Sequence, residues 1–303
     1  METCPAAACI QIGAYDPALP GERNKMRPLL HSFEAQAVPM LRALMESVSQ
    51  RVFIDEIGYL ESSSQSYLNV LRELFEAKQV IAAIRKQDTP FLLELRSRPD
   101  VFCVDLDAPF GNMGCVIMAS GLSRRFGTNK LMEDFHGVPM IGRVLAATDG
   151  IFARRVVVTR HDEVVSFCQS CGVEVIRHDL PLRSDTVRLG LEAVGEVEGC
   201  LFCPADQPLL RQSTVASLML CAVHAPDKIW RPCFGSNPGS PVFFPVWAFP
   251  MLMNLPEGKG GGFIARKYPE HVRTLPLENG YELADADTRE TLSQLLKLWE
   301  EPS

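Results

Sequence analysis

Two rhythms of apolar residues alternate along the chain. Where they return every three or four positions, amphipathic helices are predicted: over 32–48, 66–78 and 91–96, then 140–147, 163–170, 185–194 and from 212 onward. Short, nearly continuous apolar runs predict strands. These are "RVFIDEIG" at 51–58, "QVIAAIR" at 79–85 and "DVFCVDLD" at 100–107, then 115–119 and "RRVVVT" at 154–159. "VEVIRH" at 173–178, "GCLFCPAD" at 199–206 and "SPVFFP" at 240–245 complete the set. Strands alternating with helices predict an α/β fold with a mostly parallel, Rossmann-like sheet and helices on both faces. The clearest seam is "DLDAPFGNMG" at 105–114, where proline, glycines and asparagine separate two apolar runs. We therefore expect two domains: a smaller, partial α/β domain over 1–112 and a larger one over 113–303. In such sheets ligands bind beyond the carboxyl ends of the strands.

Composition narrows the function classes. The chain has 303 residues, 47% hydrophobic and 22% charged, as expected of a globular protein able to bury a core in each domain. Its net charge of −7 argues against a dedicated nucleic-acid binder. No apolar run reaches the length of a membrane span, and the short apolar patch near the N-terminus has no basic stretch before it, so neither a membrane protein nor a secretory signal is expected. Ten cysteines without regular spacing suit free thiols in a reducing, cytoplasmic compartment. Two CxxC pairs, Cys168/Cys171 and Cys200/Cys203, raise the question of zinc. The second pair lies in a predicted strand, where positions three apart point to opposite faces; free thiols are the favoured reading.

The chemistry concentrates at the end of the strand at 115–119, in "VIMASGLSRRFGTNK", Val116 to Lys130. Gly121 and Gly127 permit close backbone approach, Ser120 and Ser123 add hydroxyls, and Arg124, Arg125 and Lys130 add positive charge. Successive N–H groups in such a turn form an anion-binding concavity. The spacing is neither the Walker pattern nor the dinucleotide G-x-G-x-x-G. On these grounds alone the loop is either a polyphosphate cradle or a solvated basic turn.

This stretch resembles the signature L-A-[AG]-G-x-S-x-R-M-G-x-x-K-L of the nucleotidyltransferases that attach a nucleotide to molybdopterin, the molybdenum-cofactor guanylyl- and cytidylyltransferases. Gly121, Ser123, Arg125, Gly127 and Lys130 match; Met118, Ser120 and Phe126 depart from it. "PADQPLL" at 204–210 resembles the family's G-D-x-P at a strand end, and "LRSDTVRLGLEAV" its serine-containing segment leading into a helix. "SPVFFP" resembles G-[HN]-P-V-x-F with Ser240 at the histidine or asparagine position. "LPEGKGGGFIARKYPE" resembles L-x-G-D-x-G-A-R with Lys259 in place of the acid, and "DADTRETL" at 285–292 resembles D-[IV]-D-T-P-E-D-L with Arg289 for proline. The resemblance covers about 113–292.

It implies a Mg²⁺-dependent enzyme that joins a nucleoside triphosphate to molybdopterin's phosphate and releases pyrophosphate, for molybdenum hydroxylase maturation. The acceptor phosphate is already a nucleophile, so the protein's task is alignment and charge stabilisation. The implied catalytic residues are Arg125, Lys130 and Asp206. The nucleotide would contact Ala119, Ser120, Gly121, Ser123, Arg125, Gly127 and Lys130, with Asp179, Ser184 and Thr186 from a neighbouring loop. Asp206 with Asp287 or Asp285 would hold the metal, and this is the favoured reading of all three; the alternative for each is a loop or cap carboxylate, Asp287 as the cap of a helix beginning at Thr288. Alanine at position 120 accompanies cytidine-type members and glycine guanosine-type ones. Ser120 is closer in size to alanine, which favours CTP over GTP. The implied partners are the triphosphate, molybdopterin and an apo molybdenum hydroxylase, with neither nucleic acid nor membrane. Two alternatives stay open: a sugar- or polyol-phosphate nucleotidyltransferase of the same fold, and a non-catalytic module that binds or delivers the cofactor.

In the first domain "RVFIDEIGYLE" is an apolar strand ending in Asp55 and Glu56. It resembles a Walker B segment and, with "FLLELRSRPDVFCVD", the C-terminal half of small THEP-type nucleoside triphosphatases, over roughly 33–107. No G-x-x-x-x-G-K-[ST] occurs in the chain to cradle the β- and γ-phosphates. The expectation is a P-loop-NTPase-like remnant or truncated module, inactive alone; a gene start placed too late would give the same sequence.

Overall fold

The computed structural model describes residues 10–20, 25–123 and 125–299. Arg124, one of the loop's expected cations, lies outside them. The chain divides into two compact units, residues 1–103 and 104–303.

In the first unit, β1 (Gly13–Tyr15) and β2 (Met26–Pro28) form a small antiparallel pair. A short α1 (Leu30–Ser32) runs through a π-helical turn at Phe33–Ala37 into α2 (Val38–Glu46). The parallel strands β3 (Arg51–Ile57) and β4 (Gln79–Ile84) are connected through α3 (Gln65–Ala77), and α4 (Pro90–Ser97) follows. Their core joins Leu41, Val52, Ile57, Leu71, Leu74 and Leu92. Ser64 and Thr89 cap α3 and α4 by accepting from Tyr67 N and Leu92 N. The strand expected at 100–107 is not formed: among the described residues these positions pair with no strand. Phe102 and Leu106 are exposed while Val101 packs against the first unit's core, so this apolar run finds no ladder.

The second unit is built on an eight-stranded sheet. β5 (Met113–Ala119) is central. The loop after it contains the two-residue strands β6 (Asp134–Phe135) and β7 (Val138–Pro139), which pair with each other and lead into α5 (Met140–Ala147). Then follow β8 (Arg154–Thr159), α6 (Asp162–Ser170), β9 (Glu174–Arg177), α7 (Arg183–Val194), β10 (Gly199–Pro204) and α8 (Gln212–His224). β10, β5, β8 and β9 lie side by side and parallel. The expected strand at 240–245 is β13 (Val242–Pro245). It runs antiparallel to β10 and to β11 (Ile229–Phe234). β11 also pairs with β12 (Asn237–Pro238) and, in parallel, with β14 (Val272–Pro276). Beyond β13 come α9 (Phe249–Met253), α10 (Gly262–Lys267) and α11 (Arg289–Leu298).

The apolar runs are continuous because both faces of the sheet are buried. Along β5, Cys115, Ile117 and Ala119 join one core with Leu201, Cys203 and Val215, while Val116 joins the other with Val156, Val187 and Phe202. The same alternation sends Cys200 and Cys203 into cores on opposite sheet faces, so they do not face a common ion. α7 packs close to β5: a Cβ at Gly190 would collide with Val116 Cγ1. Any larger residue there would push the helix off the sheet that carries the site. Among the described residues no helix is long and apolar enough to cross a membrane.

Candidate active site at the carboxyl ends of the strands

A cleft of about 560 Å³ opens where β5, β8 and β10 end. It is lined by Ala119 to Ser123, Arg125 and Lys130 from the loop after β5 and by Asp206 beyond β10. Arg160 beyond β8, Leu182, Arg183 and Thr186 at the start of α7, Ser240 ahead of β13, and Asp285 and Asp287 complete the wall used below.

The loop holds its shape by turning on itself. Ser123 adopts φ +48° and Gly127 φ +84°, and the N–H groups of Phe126 and Gly127 donate to Ser123 O at 2.9 and 3.2 Å. Gly127 therefore serves the turn, since a side chain there would be strained. Asn129 caps the 3-10 turn Lys130–Met132 through Leu131 N. The backbone N–H groups of Gly121, Leu122 and Ser123 meet no acceptor among the described residues and are free for a ligand.

Lys130 is the centre of the charge arrangement. Although 7% exposed, it keeps its charge, because its Nζ donates to Asp206 Oδ2 at 2.6 Å and to Asp287 Oδ1 at 2.7 Å. Burial works against the ammonium, but the two carboxylates outweigh it and hold its pKa above that of an ordinary lysine. Asp287 also accepts from Arg125 Nη2 at 2.5 Å. Lys130 and Arg125 together hold the Asp287 carboxyl below the usual range. Asp285 moves the other way: burial first, then the Asp206 charge, pushes its pKa up, while Gln207 Nε2 donates to its Oδ1 at 3.0 Å. Asp206 Oδ1 and Asp285 Oδ2 accept no hydrogen bond among the described residues.

Segments about eighty residues apart in sequence meet here for identifiable reasons. Ala286 N donates to Asp206 O at 2.9 Å. The buried Glu282 accepts from Thr214 Oγ1 at 2.5 Å and from Arg211 N at 3.2 Å. A small core of Phe126, Phe135, Leu209, Ala286, Leu292 and Leu295 joins the loop, the segment after β10 and α11. Two departures from the family signature meet in this region. Arg289 stands over the Phe126 ring at 5.1 Å and reaches Thr128 Oγ1 at 3.3 Å. Each thus gives the other a partner that the consensus residues would not provide. Thr288, not Asp287, caps α11, accepting from Thr291 N at 3.1 Å, which leaves Asp287 to the cations.

The other sequence candidates divide. Ala119, Ser120, Gly121, Ser123 and Thr186 line the cleft; Gly127, Asp179 and Ser184 do not. Asp179 is turned to Arg177 Nη1 at 2.6 Å. Among the described residues no three His, Cys, Asp or Glu side chains converge on one point as a metal-ion cage; between Asp206 and Asp287 stands the Lys130 ammonium. Three residues went unnoticed in the sequence: Arg160, Arg183 and His178. Arg160 had a signal, since it directly follows a predicted strand at the end where ligands bind. His178 had none: its Nε2 meets Ser120 Oγ at 2.7 Å, 58 residues away.

In the first unit Asp55 and Glu56 are exposed at the end of β3, where its register with β4 is irregular. Glu56 is paired with Arg85 at 2.6 Å.

The MobA-like NTP transferase domain model matches residues 115–272, just over half of the chain, and an NTPase model matches 20–109. The bifunctional protein GlmU of Clavibacter sepedonicus is 30% identical over 126 residues, which are 38% of this chain and 26% of GlmU. The nucleoside-triphosphatase THEP1 of Thermotoga maritima is 35% identical over 57 residues, 18% of this chain and 33% of THEP1. The chain thus spans about a quarter and a third of the length of these curated relatives. The solved structure of a nucleotidyl transferase from Methanothermobacter superposes with a TM-score of 0.54 at 18% identity, covering 62% of this chain and 97% of that one; the fold is shared.

Proposed function

Because the chain belongs to the MobA-like NTP transferase family, we propose that residues 113–303 form a nucleotidyltransferase domain that transfers CMP from CTP to the phosphate of molybdopterin. The observation that carries this reading is the Lys130 ammonium between Asp206 and Asp287 in a cleft at the strand ends. A cation held by carboxylates beside a turn with free N–H groups suits a metal–polyphosphate ligand.

An acceptor phosphate oxygen forms a bond to the α-phosphorus, the bond from that phosphorus to the bridging oxygen of the β-phosphate breaks, and its electron pair leaves with pyrophosphate. No proton has to move, so the cleft needs no general base. Arg125, Lys130 and the N–H groups of Gly121 to Ser123 receive the charge that grows on the leaving group. Two carboxylate oxygens, Asp206 Oδ1 and Asp285 Oδ2, accept no hydrogen bond among the described residues, and the Lys130 ammonium marks a place where positive charge is stable; both support a hard divalent ion there. Asp206 and Asp285 are the residues that would hold Mg²⁺, which would neutralise the α-phosphate region; both Asp287 oxygens are engaged by Lys130 and Arg125.

Ser120 supports cytidine. Its hydroxyl is engaged with Val158 O at 3.0 Å and with His178, so it presents little more than an alanine's Cβ to the ligand. The product would pass to an apo molybdenum hydroxylase. Residues 1–112 are read as an NTPase-like module that makes no contribution to the transfer chemistry. The test is pyrophosphate release from CTP, Mg²⁺ and molybdopterin. Wild-type protein releases it in proportion to acceptor and Asp206→Asn does not; equal release by both overturns the reading.

A further inference from the structure

The first unit leaves one strand edge open. β3 pairs with β4 and with no other strand among the described residues. In a parallel ladder only alternate residues turn their backbone groups toward the neighbouring strand. Gln79 N donates to Gln50 O at 2.9 Å, so Gln50, Val52 and Ile54 face β4. Arg51, Phe53 and Asp55 turn their backbone groups to the open side. Ser49 Oγ donates to Arg51 O at 2.7 Å, whereas the N–H and C=O of Phe53 meet no partner among the described residues. An edge of unpaired backbone groups is a template for another strand.

The side chains on this edge are symmetric about Phe53 except in the sign of their charge. Val52 and Ile54 pack into the core of the unit. Phe53 between them is 71% exposed, and beside it on β4 Ile81 is 51% exposed. Arg51 stands two positions before Phe53 and Asp55 two positions after it, both exposed. Arg51 Nε donates to Gln79 Oε1 at 3.0 Å, but neither Arg51 nor Asp55 forms an ion pair among the described residues. Four residues of strand hold them about 13 Å apart, too far to meet within one chain.

We propose that the open edge of β3 docks a second copy of this chain, paired antiparallel across a two-fold axis at Phe53. Phe53 then faces the partner's Phe53, and the two exchange both backbone hydrogen bonds. Val52 faces the partner's Ile54 on the core side. Arg51 faces the partner's Asp55, and by symmetry Asp55 faces the partner's Arg51, so both charges left unpaired in one chain are matched in two. A register shifted by two residues would set Phe53 against a charge, and a shift by one would turn the core residues outward. Two sheets of two strands become one of four, with Ile81 and Phe53 of each copy in a single apolar row. This contact concerns the first unit alone and stands or falls apart from the transfer reading.

The test is analytical ultracentrifugation of the full chain over a range of concentrations, at low and high salt, with Arg51→Asp and Asp55→Arg, each checked for folding by circular dichroism. Wild-type protein should form a dimer that weakens as salt rises. Each reversal sets like charges opposite one another at two places and should weaken the dimer by about tenfold or more. The neutral variants Arg51→Ala and Asp55→Ala, which bring no new charge to the surface, should weaken it by about threefold. An equimolar mixture of the two reversals should dimerise again, because one copy then presents two acids and the other two bases at the facing positions. A wild-type chain that stays monomeric throughout overturns the inference. So does a dimer that neither the reversals nor the neutral variants weaken, or a mixture of folded reversal variants that does not re-form it.

Discussion

Two strand ends in this chain carry acids, and they differ in what the rest of the sequence brings to them. Asp55 and Glu56 close β3 in the first unit, exposed, with Glu56 spent on a surface pair with Arg85. Asp206 follows β10 in the second unit and meets a buried ammonium, a second carboxylate on the same ammonium, and a cleft. An acid at a strand end is thus only a candidate. It becomes a site when distant segments supply the opposite charge and shield it, here through the core of Phe126, Leu209, Ala286 and Leu292.

The contrast can be broken most forcefully by neutralising the acid at each of the two ends. Asp206→Asn should lower the rate of pyrophosphate release roughly 100-fold or more, the scale of losing one electrostatic stabiliser. Asp55→Asn should leave it unchanged within error. A comparable loss from both would erase the distinction.

Lys130→Met removes the shared cation and strands two carboxylates in a partly buried place. We expect unfolding free energy, read by urea denaturation, to fall by about 1–3 kcal/mol. Adding Asp287→Asn to the Lys130→Met variant should recover part of that loss, because one unpaired charge disappears.

The pH dependence sharpens the same point. Asp287 has a folded-state pKa below its ordinary value, so its ionisation stabilises the fold above the unfolded pKa, and the contribution is lost as pH falls through the lower folded value. The stability gap between wild type and Asp287→Asn should be constant near neutrality and close below about pH 4. A gap that widens on acidification would contradict the pairing.

Smaller effects are expected where the contacts are exposed. Arg289→Ala, which removes the guanidinium over Phe126, should cost about 0.5–1 kcal/mol by denaturation. Glu56→Gln, which breaks an exposed pair, should shift it by less than about 0.5 kcal/mol.

The sequence carried the parallel core well, because β5, β8 and β10 are apolar on consecutive positions and α5 and α7 follow the helical period. It carried β11 and β14 poorly: "IWRPCF" holds an arginine and a proline, and "VRTLP" is short and half-exposed. At 100–107 the pattern suggested a strand that lacks a partner, since pairing is a tertiary property. The loop from Ser120 to Lys130 was legible as a motif. That Asp285 and Asp287 line the same cleft as Asp206 follows from the resemblance and from no local pattern. The Ser120–His178 contact and the pairing of Phe126 with Arg289 join residues too far apart in sequence for any local rule to find.

The most direct measurement is a melting series with CTP, with and without Mg²⁺, on wild type, Asp206→Asn and Asp55→Asn. At a hundredfold excess over Kd, a ligand specific to the folded state adds about 2.7 kcal/mol. The account expects a Mg²⁺-dependent upward shift in wild type and Asp55→Asn that is lost in Asp206→Asn. A shift that survives in Asp206→Asn and vanishes in Asp55→Asn would place the nucleotide at the other strand end and contradict it.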